Sequence, residues 1–572
     1  MAADTAPAAG TDTGTTAPPA LRIAIVGGGI AGLSLVLALQ RFCGPLLAPD
    51  ASSSRPALHL DVYEAAPVLD QAGAGLGMYA RTLALLRDLG LAEELARFER
   101  CDRHELVWRV RKSDATEGLH IHDMYLEDGP MMLFHRADFQ GMILRQLPAT
   151  VRVHLSHRLV GFRENGARVV CDVLVGADGL RSRVRRGMAD AAGKRAAEAA
   201  DAPAREAGAP TSDSGATLSD SGASMSDFGA PTSDSGAPMS DTGARPGAPA
   251  ATPSRTAPAA LFAARAEPVW TGTYVYRGLV DAGRLAARWP GHPALTTPIQ
   301  YVGKDRHVTS YPIAEGKYIN VVPNVTDFAR AGAVLGAEEA ATARAAAGEV
   351  LEAFAGWEEE VRVLIELMDV LGRWPIQTLD ALPTYTSGRV ILLGDAAHAM
   401  SQHLGAGAGQ GIEDAYILGK AFAKAFAEGL AGPAPRQPVY GALIARAAAL
   451  YNALRLPVGN HVQERSLLMG RVYTFALGLI WEDGVGGGAG EGGGAGEGRN
   501  AEARTDAAST SAARAWTDAL NARARRAFAL PREWPAMDAV ARMSWLTVDS
   551  YNWQNSAWIR ERDAEAARVL GM

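Results

Sequence analysis

A short apolar run near the start of the chain leads directly into a glycine-rich turn and then into a second apolar stretch. Residues 21–26 form the run, Gly27-Gly28-Gly29-Ile30-Ala31-Gly32 form the turn, and residues 33–39 continue the apolar pattern. This order predicts a buried strand, a tight turn and a helix, which is the context of a dinucleotide-binding fingerprint. Gly27 permits the turn, Gly29 lets backbone N–H groups approach a pyrophosphate, and Gly32 allows the helix to pack closely on the strand. The positive end of the helix then faces the phosphates.

The same order returns late in the chain, where the apolar residues 390–393 lead into Gly394-Asp395 and then into a glycine-rich segment at 405–411. An aspartate at the end of a buried strand offers a carboxylate to ribityl or ribose hydroxyls. Free N–H groups at the start of the following helix can face an electron-rich ring. A third apolar strand, within 172–176, ends in the same manner at Asp178.

The middle and later parts of the chain show two other patterns. Strand-like runs occur at residues 273–276, 307–311 and 318–322. Helical patterns occur at residues 338–371, 435–470 and 511–572. We therefore predict a sheet between the two glycine-rich units and a mainly helical C-terminal part.

Three segments lack the composition of a folded core. Residues 188–259 are rich in Pro, Gly, Ser and Asp, and part of this segment repeats every seven residues. No position of the repeat is consistently apolar, which argues against a coiled coil and predicts a disordered insertion. A surface-loop expansion is favoured over a phosphorylation or interaction role. Residues 484–511 predict a flexible linker, and residues 43–56 lengthen the gap between the glycine turn and the acidic residue Glu64.

Composition excludes several classes of protein. The 572 residues are 48% hydrophobic and 21% charged, with a net charge of −7, so a nucleic-acid partner is not expected. The three cysteines have no paired spacing, which predicts neither a disulfide framework nor a zinc site and fits a reducing compartment. The first twenty residues lack the features of a targeting segment. The apolar run at 473–481 is too short to span a membrane. We predict a cytoplasmic protein with no integral membrane segment; its oligomeric state cannot be read from the sequence.

The stretch from Arg389 to Tyr416 resembles the second flavin motif of the single-component FAD-dependent aromatic hydroxylases, in particular their salicylate hydroxylase-like fungal branch. Residues 172–182 resemble that family's Asp-Gly motif, which serves both FAD and NAD(P)H. With the first glycine turn, three motifs stand in the family's order. The resemblance implies an α/β fold with a Rossmann-like FAD-binding domain, a smaller antiparallel-sheet substrate domain and a helical C-terminal part. The predicted division is a disordered tail (1–20), the first part of the FAD-binding domain (21–187), the insertion (188–259), the substrate domain (260–375), the second part of the FAD-binding domain with helices (376–482), a Gly-rich linker (483–511) and a C-terminal helical segment (512–572).

The motifs also predict which residues bind FAD. Glu64 ends its strand and is expected to accept hydrogen bonds from the adenosine ribose hydroxyls. The resemblance implies that Gly77 contacts the flavin through its backbone and that Arg136 reaches FAD. It also implies that Asp395 binds the ribityl chain or the pyrophosphate ribose region, and that Ala408 presents its N–H to the flavin ring. Structural alternatives remain open at three positions: Glu64 as a solvated charge, Arg136 paired with Asp138, and Asp178 as a helix cap. Arg181 is a weaker candidate for NAD(P)H phosphates.

In this family NADH or NADPH reduces FAD, dioxygen forms a flavin C4a-hydroperoxide, and an electron-rich aromatic substrate is hydroxylated. The cofactor supplies the difficult step, and the protein orients and activates the substrate. A phenolate or aromatic acid calls for a cation and a phenol in the cavity. Arg277 and Tyr311 match family positions of this kind. Arg277 would hold the anion, and Tyr311 would orient or deprotonate the hydroxyl; the alternative for both is a packing role in the sheet.

One departure from the family and several alternatives remain. Relatives have Pro-His where this chain has Ser401-Gln402-His403-Leu404, which leaves the substrate open. His398 and His403 have no further ligands at useful spacing, so no metal site is predicted. His120 and His122 are expected to be structural. Epoxidation or another oxidation in secondary metabolism is the alternative activity, and a flavin-binding interaction protein without catalysis is the alternative class.

Overall fold

The computed structural model describes residues 20–47, 57–69, 75–98, 106–126, 131–162, 169–206, 257–369, 372–430, 440–477, 480, 521–528 and 530–572. Residues 1–19 of the predicted N-terminal tail, the repeats of the insertion and the Gly-rich linker lie outside these residues, and Ala20 begins the first strand. The strands are β1 (Ala20–Val26), β2 (Ala57–Tyr63), β3 (Gly75–Met78), β4 (Trp108–Lys112), β5 (Leu119–Met124), β6 (Met132–His135), β7 (Arg152–His154), β8 (Val173–Gly176), β9 (Val269–Asp281), β10 (Ile299–Gly303), β11 (Arg306–Ile313), β12 (Tyr318–Thr326), β13 (Ala343–Arg344), β14 (Gly372–Thr378), β15 (Thr386–Ser387) and β16 (Val390–Leu392). The α-helices are α1 (Ile30–Cys43), α2 (Ala80–Leu86), α3 (Ala92–Phe98), α4 (Arg136–Arg145), α5 (Arg183–Glu206), α6 (Ala257–Arg265), α7 (Ala282–Arg288), α8 (Ala347–Ala353), α9 (Glu359–Glu366), α10 (Asp395–His398), α11 (Gly407–Leu430), α12 (Tyr440–Tyr473), α13 (Ala539–Tyr551) and α14 (Ala557–Leu570).

The first sheet has the order β15-β16-β8-β1-β2-β7. All its neighbours run parallel except β15, which pairs antiparallel with β16. The carboxyl ends of β1, β8 and β16 therefore meet at one edge, which is where open α/β sheets bind their ligands. Both glycine-rich units and the Asp-Gly motif lie at this edge, each directly after a strand as the sequence predicts.

The second sheet has eight strands in the order β13-β14-β9-β12-β11-β10-β4-β5. It is antiparallel except between β10 and β4, which run parallel. Side chains alternate between its two faces. On β11 and β12, Val308, Ile319 and Val321 are fully buried in a core with helices α8 and α9. Their neighbours along the strands face the opposite side, toward the first sheet.

The later part of the chain is helical, as predicted. α12 packs against α11 and contains Pro457. The C-terminal helices α13 and α14 pack on α12 and contribute Leu546, Tyr551 and Ile559 to a buried cluster near the end of the second sheet. No helix in the described ranges is long and apolar enough to cross a membrane.

The predicted insertion, residues 188–259, includes helical residues at both of its ends. α5 continues to Glu206, and α6 begins at Ala257, so residues 188–206 and 257–259 are helical. Alanine-rich sequence has a high helix propensity, and Met188 and Ala192 bury their side chains against the protein. Low-complexity composition therefore concealed a helix at this point.

Two further predictions, about the extent of the second sheet and about a helix that follows it in the chain, are also wrong. The sheet is not confined to residues 260–375, because β4 and β5 come from the segment assigned to the FAD-binding domain and β14 extends to Thr378. The helix predicted over 338–371 is instead the short strand β13 followed by the separate helices α8 and α9.

Candidate active site

A cavity of about 980 Å³ lies between the carboxyl edge of the first sheet and the polar face of the second. It is lined by both glycine-rich units and by side chains of β9, β10, β11 and β12. All the residues predicted to bind FAD except Gly32 line it, as do Arg277 and Tyr311. Gly32 lies just behind the wall, where α1 meets the turn.

The geometry of the first glycine turn requires glycine at two positions. Gly27 has φ +111°, and a Cβ there would lie 2.2 Å from the carbonyl oxygen of Ala177. A Cβ on Gly32 would lie 2.1 Å from the carbonyl oxygen of Gly27. At Gly29, the residue before α1, a Cβ would meet nothing within 4 Å, so the first N–H groups of the helix are open to the cavity. This arrangement can bind an anion at the helix start.

Glu64 and Asp178 are held by backbone N–H groups at the same edge. The Glu64 carboxylate accepts hydrogen bonds from Gly28 N and Ala66 N, both at 2.8 Å. Asp178 accepts from Ser182 Oγ at 2.5 Å and from Arg183 N at 2.7 Å, so it caps α5 while it lines the cavity. The capping interpretation of Asp178 is therefore present in the structure beside its cavity position.

Asp395 is exposed to the cavity, whereas residues 390–394 and 396–399 are buried. Gly394 turns the chain at this point with φ +60°. The α11 helix begins nearby at Gly407, so the N–H of Ala408 lies in the first turn of a helix that opens on the cavity. First-turn N–H groups have no partner within the helix, and they leave a positive edge beside the aspartate.

A buried ionic network lies behind this segment, and our sequence interpretation did not include it. The Asp414 carboxylate accepts from Gly394 N at 2.8 Å, His398 Nε2 at 2.6 Å and Arg455 Nε at 2.7 Å. Burial opposes its charge, but His398 and Arg455 together with the hydrogen bonds lower the pKa of Asp414 to about 2. The network fixes the 394–395 turn from below. His398 thus has a structural partner, and among the described residues no cluster has the composition of a metal site.

Arg455 extends the network to residues on α2 and α14. It also bonds Glu413 Oε2 at 3.1 Å and Gln410 Oε1 at 2.6 Å. Glu413 in turn accepts from Arg81 on α2, and Arg81 bonds Asp563 on α14. The Glu413-Asp414 pair in the apolar-periodic helix was the available signal, but nothing in the sequence shows that Arg455 and Arg81 face it.

Arg136 and Gly77 lie on neighbouring elements of the cavity wall. Arg136 opens α4, directly after β6, and β6 pairs with β3, which carries Gly77. Burial lowers the pKa of the Arg136 guanidinium, an effect that the charge of Asp395 opposes. Arg136 Nε is buried without a hydrogen-bond partner among the described residues. A Cβ on Gly77 would lie 2.6 Å from Sδ of Met131, so only glycine fits without a shift.

Arg277 on β9 and Tyr311 on β11 face the cavity from the second sheet. Arg277 donates to Gln402 Oε1 at 3.3 Å, and its guanidinium lies 5.4 Å from the ring centroid of Trp374. Burial lowers the pKa of Arg277, and the Tyr311 side chain opposes that shift. Burial raises the pKa of Tyr311 to about 12, so its hydroxyl keeps its proton at neutral pH.

The segment that departs from the family is held by side chains rather than by proline. Gln402 donates to Asn324 Oδ1 at 2.9 Å while it accepts from Arg277. The hydroxyl of Tyr551 donates to the carbonyl of His403 at 2.8 Å, and the hydroxyl of Tyr79 donates to the carbonyl of Leu404. These bonds immobilise residues 402–404 beside the start of α11.

The remaining candidates lie away from this centre. Arg181 lines the cavity mouth but donates to the carbonyl of Ala340. His120 and His122 lie on β5 and do not line the cavity. Burial lowers the pKa of His122 to about 4, in agreement with a neutral structural residue.

The chemistry of the cavity fits a flavin dinucleotide. The cavity contains the open N-termini of α1 and α11 and a glycine turn that a side chain would obstruct. It also contains three carboxylates at strand ends and the Arg136 guanidinium, whose Nε has no partner among the described residues. Anionic phosphates bind helix starts, and carboxylates accept hydrogen bonds from sugar hydroxyls.

Comparisons with known proteins agree with this geometry. Residues 312–435 match the family model described as "FAD binding domain". Salicylate hydroxylase of Pseudomonas putida is 28% identical over 473 residues, which cover 79% of this chain and 86% of that protein. The 3-amino-4-hydroxybenzoate 2-monooxygenase PtmB3 of Streptomyces platensis is 28% identical over 460 residues, covering 78% of this chain and 86% of that protein. The solved structure titled "Salicylate hydroxylase substrate complex" shares the fold, with a TM-score of 0.55 and 23% identity over 90% of this chain and 99% of that one.

The fold, the dinucleotide cradle and these similarities define a FAD-dependent monooxygenase. The chain resembles the single-component aromatic hydroxylases and is similar to salicylate hydroxylase along most of its length.

Proposed function

We propose that the protein hydroxylates a phenolic or aromatic-acid small molecule with NADH or NADPH and dioxygen as co-substrates. The observation that carries this proposal is the Arg277 guanidinium, a half-buried cation that faces the cavity. Within the described part of the chain, no carboxylate lies within salt-bridge distance of it. A desolvated cation without a counter-ion favours an anionic ligand.

The relatives bear on the class of anion. Salicylate and 3-amino-4-hydroxybenzoate, after which two of them are named, each combine a carboxylate with a hydroxyl on an aromatic ring. Arg277 would bind the carboxylate or phenolate of such a molecule. Tyr311 would orient the hydroxyl as a neutral hydrogen-bond partner, because its raised pKa disfavours a role as base.

For FAD we propose the following contacts. The turn from Gly27 to Gly32 and the start of α1 would bind the pyrophosphate, and Glu64 would bind the adenosine ribose. Asp395 would bind the ribityl hydroxyls, and Ala408 would present its N–H to the ring. Asp178, Gly77 and Arg136 would complete the wall. When bound, FAD supplies electron transfer from the nicotinamide and activation of dioxygen.

The test replaces Arg277 by Met in the FAD-loaded protein. NAD(P)H oxidation and product formation are measured with a panel of phenolic acids, salicylate first. A charge-assisted hydrogen bond contributes about 1.5–3 kcal/mol, so kcat/KM should fall roughly ten- to a hundredfold. Flavin content should not change, because Arg277 is carried by the second sheet and its hydrogen bond to Gln402 is long, at 3.3 Å.

Arg277→Lys is the matched control. It keeps the positive charge but loses the planar fork, so its activity should lie between the wild type and Arg277→Met. Wild-type kinetics in the Met variant would rule out the anion contact. Flavin binding without substrate-stimulated turnover in the wild-type protein would favour the non-catalytic alternative, and an epoxide product would favour the alternative oxidation.

A further inference from the structure

The floor of the cavity is a polar patch that extends well beyond Arg277 and Tyr311. On β11, His307, Thr309 and Tyr311 occupy alternate positions and all face the cavity. Thr309 pairs with Gln300 across β10, and its hydroxyl donates to Gln300 Oε1 at 2.8 Å. A simple monocyclic acid does not require hydrogen-bonding groups along the whole of this strand.

Within the described part of the chain, His307 differs from Thr309 and Gln300 because one of its ring nitrogens, Nδ1, has no hydrogen-bond partner. Its side chain is 1% exposed, and Nδ1 is buried without a partner among the described residues. Nearby His403, by contrast, bonds Ser401 Oγ at 2.9 Å. Burial holds the pKa of His307 well below its usual value, so the ring is neutral and has one donor and one acceptor nitrogen. An unsatisfied buried polar group is costly, and a ligand group that bonds it removes this cost.

The position of His307 sets the reach of the ligand. Four residues separate it from Tyr311 on one strand, which corresponds to about 13 Å of strand. Rings of His403 and Tyr473 lie 5.2 and 5.4 Å from the His307 ring, centroid to centroid, and form an aromatic wall at that end. A molecule anchored at Arg277 and Tyr311 must therefore be longer than a single substituted benzene ring to reach His307.

We propose that His307 binds a hydroxyl or carbonyl oxygen at the end of the substrate remote from the Arg277 anchor. The substrate class is then an extended, multiply oxygenated aromatic acid or phenol of more than one ring. This inference rests on the proposed function, because Arg277 supplies the other anchor. His307 acts as a specificity-determining residue that selects the distal oxygen.

The experiment compares three probes with the FAD-loaded protein in the absence of NAD(P)H. Salicylate, 3-hydroxy-2-naphthoate and 3,7-dihydroxy-2-naphthoate are titrated, and the change in flavin absorbance gives each Kd. The two naphthoates differ only in the distal hydroxyl. We expect the distal hydroxyl to tighten binding to the wild type by about five- to a hundredfold.

His307→Phe should abolish this gain while it leaves the Kd of salicylate unchanged. His307→Gln retains a donor and an acceptor, and it should keep part of the gain; it also serves if the Phe variant does not fold. Equal affinity of the wild type for the two naphthoates, or an undiminished gain in both variants, would overturn the role of His307. Arg277→Met separates this result from the proposed function, because it should weaken all three probes. If Arg277→Met binds all three as tightly as the wild type, the Arg277 anchor itself is wrong.

Discussion

Asp395 is an exposed carboxylate in an otherwise buried stretch of the chain. Its neighbours on both sides are buried, and the turn at Gly394 points the aspartate into the cavity. In the described part of the molecule its carboxylate accepts no hydrogen bond, unlike Glu64 and Asp178. A carboxylate in this position has its full acceptor capacity available for a ligand.

Asp395→Ala should therefore weaken FAD binding about ten- to a hundredfold, the range for a lost hydrogen bond to a charged group. The Kd is measured by titrating FAD into the apoprotein and following flavin fluorescence. Asp190, exposed on α5, provides a control, since Asp190→Ala also removes one negative charge but lies outside the cavity lining. Full flavin absorbance in purified Asp395→Ala would contradict the assignment.

At the scale of elements, the cradle depends on how closely α1 and α11 approach each other. A Cβ on Gly419 would lie 2.8 Å from Cβ of Ala38, and one on Gly411 would lie 2.9 Å from Cβ of Ala31. Small residues on both helices let the two helix starts converge on the same cavity. This convergence places the pyrophosphate site and the Ala408 N–H in one space.

Gly419→Val should force the helices apart and destabilise the protein by about 1–3 kcal/mol, the usual cost of overpacking. FAD affinity should fall with it, because both helix starts move. The measurements are urea denaturation and FAD titration. Gly193→Ala on α5 is the control: a Cβ there meets nothing within 4 Å, so it should leave FAD affinity unchanged and stabilise the helix by about 0.5–1 kcal/mol. Equal stabilities of the two variants would show that the helix contact is not tight.

At the scale of the whole molecule, buried neutral histidines make stability depend on pH. Burial lowers the pKa of His403 to about 4 and that of His307 well below its usual value. Between pH 6.5 and 4 the unfolded chain binds protons at these rings and the folded protein does not. The contribution of these histidines to stability is therefore fully present above the pKa of the unfolded chain and is lost as the pH falls below it.

For His403, the free energy of unfolding should be about 2 kcal/mol lower at pH 5 than at pH 7. This figure follows from about 1.36 kcal/mol for each pH unit below the unfolded pKa of about 6.5. The melting temperature of the FAD-loaded protein should drop over this interval. His403→Gln removes the titrating ring, so its melting temperature should fall less between pH 7 and pH 5. If the melting temperatures of both proteins fell equally between pH 7 and pH 5, His403 would not be a cause of the pH dependence.

The sequence could predict those parts of the fold that are encoded locally. A strand that ends in a glycine turn is encoded by consecutive residues of the sequence. The positions of Gly27, Asp178 and Asp395 at the ends of their strands were therefore predictable. The pairing of β4 with β10 joins residues far apart in the chain, and no periodic pattern carries its register. Arg455 is likewise an ordinary basic residue in a helical pattern until folding places it against Asp414. The roles of Arg277 and Tyr311 remain predictions, because the structure gives their position and not their ligand.

The link from Arg81 to Asp563 has a consequence for the order of events during biosynthesis. Asp563 lies on α14, and through Arg81 and Glu413 it supports the helix that opens on the cavity. On the ribosome, this partner is made only after α1, α11 and α12, while the earlier domains are already folding. Stable loading of the flavin should therefore wait until Asp563 has been synthesised, and chains that terminate before Asp563 should accumulate as colourless protein.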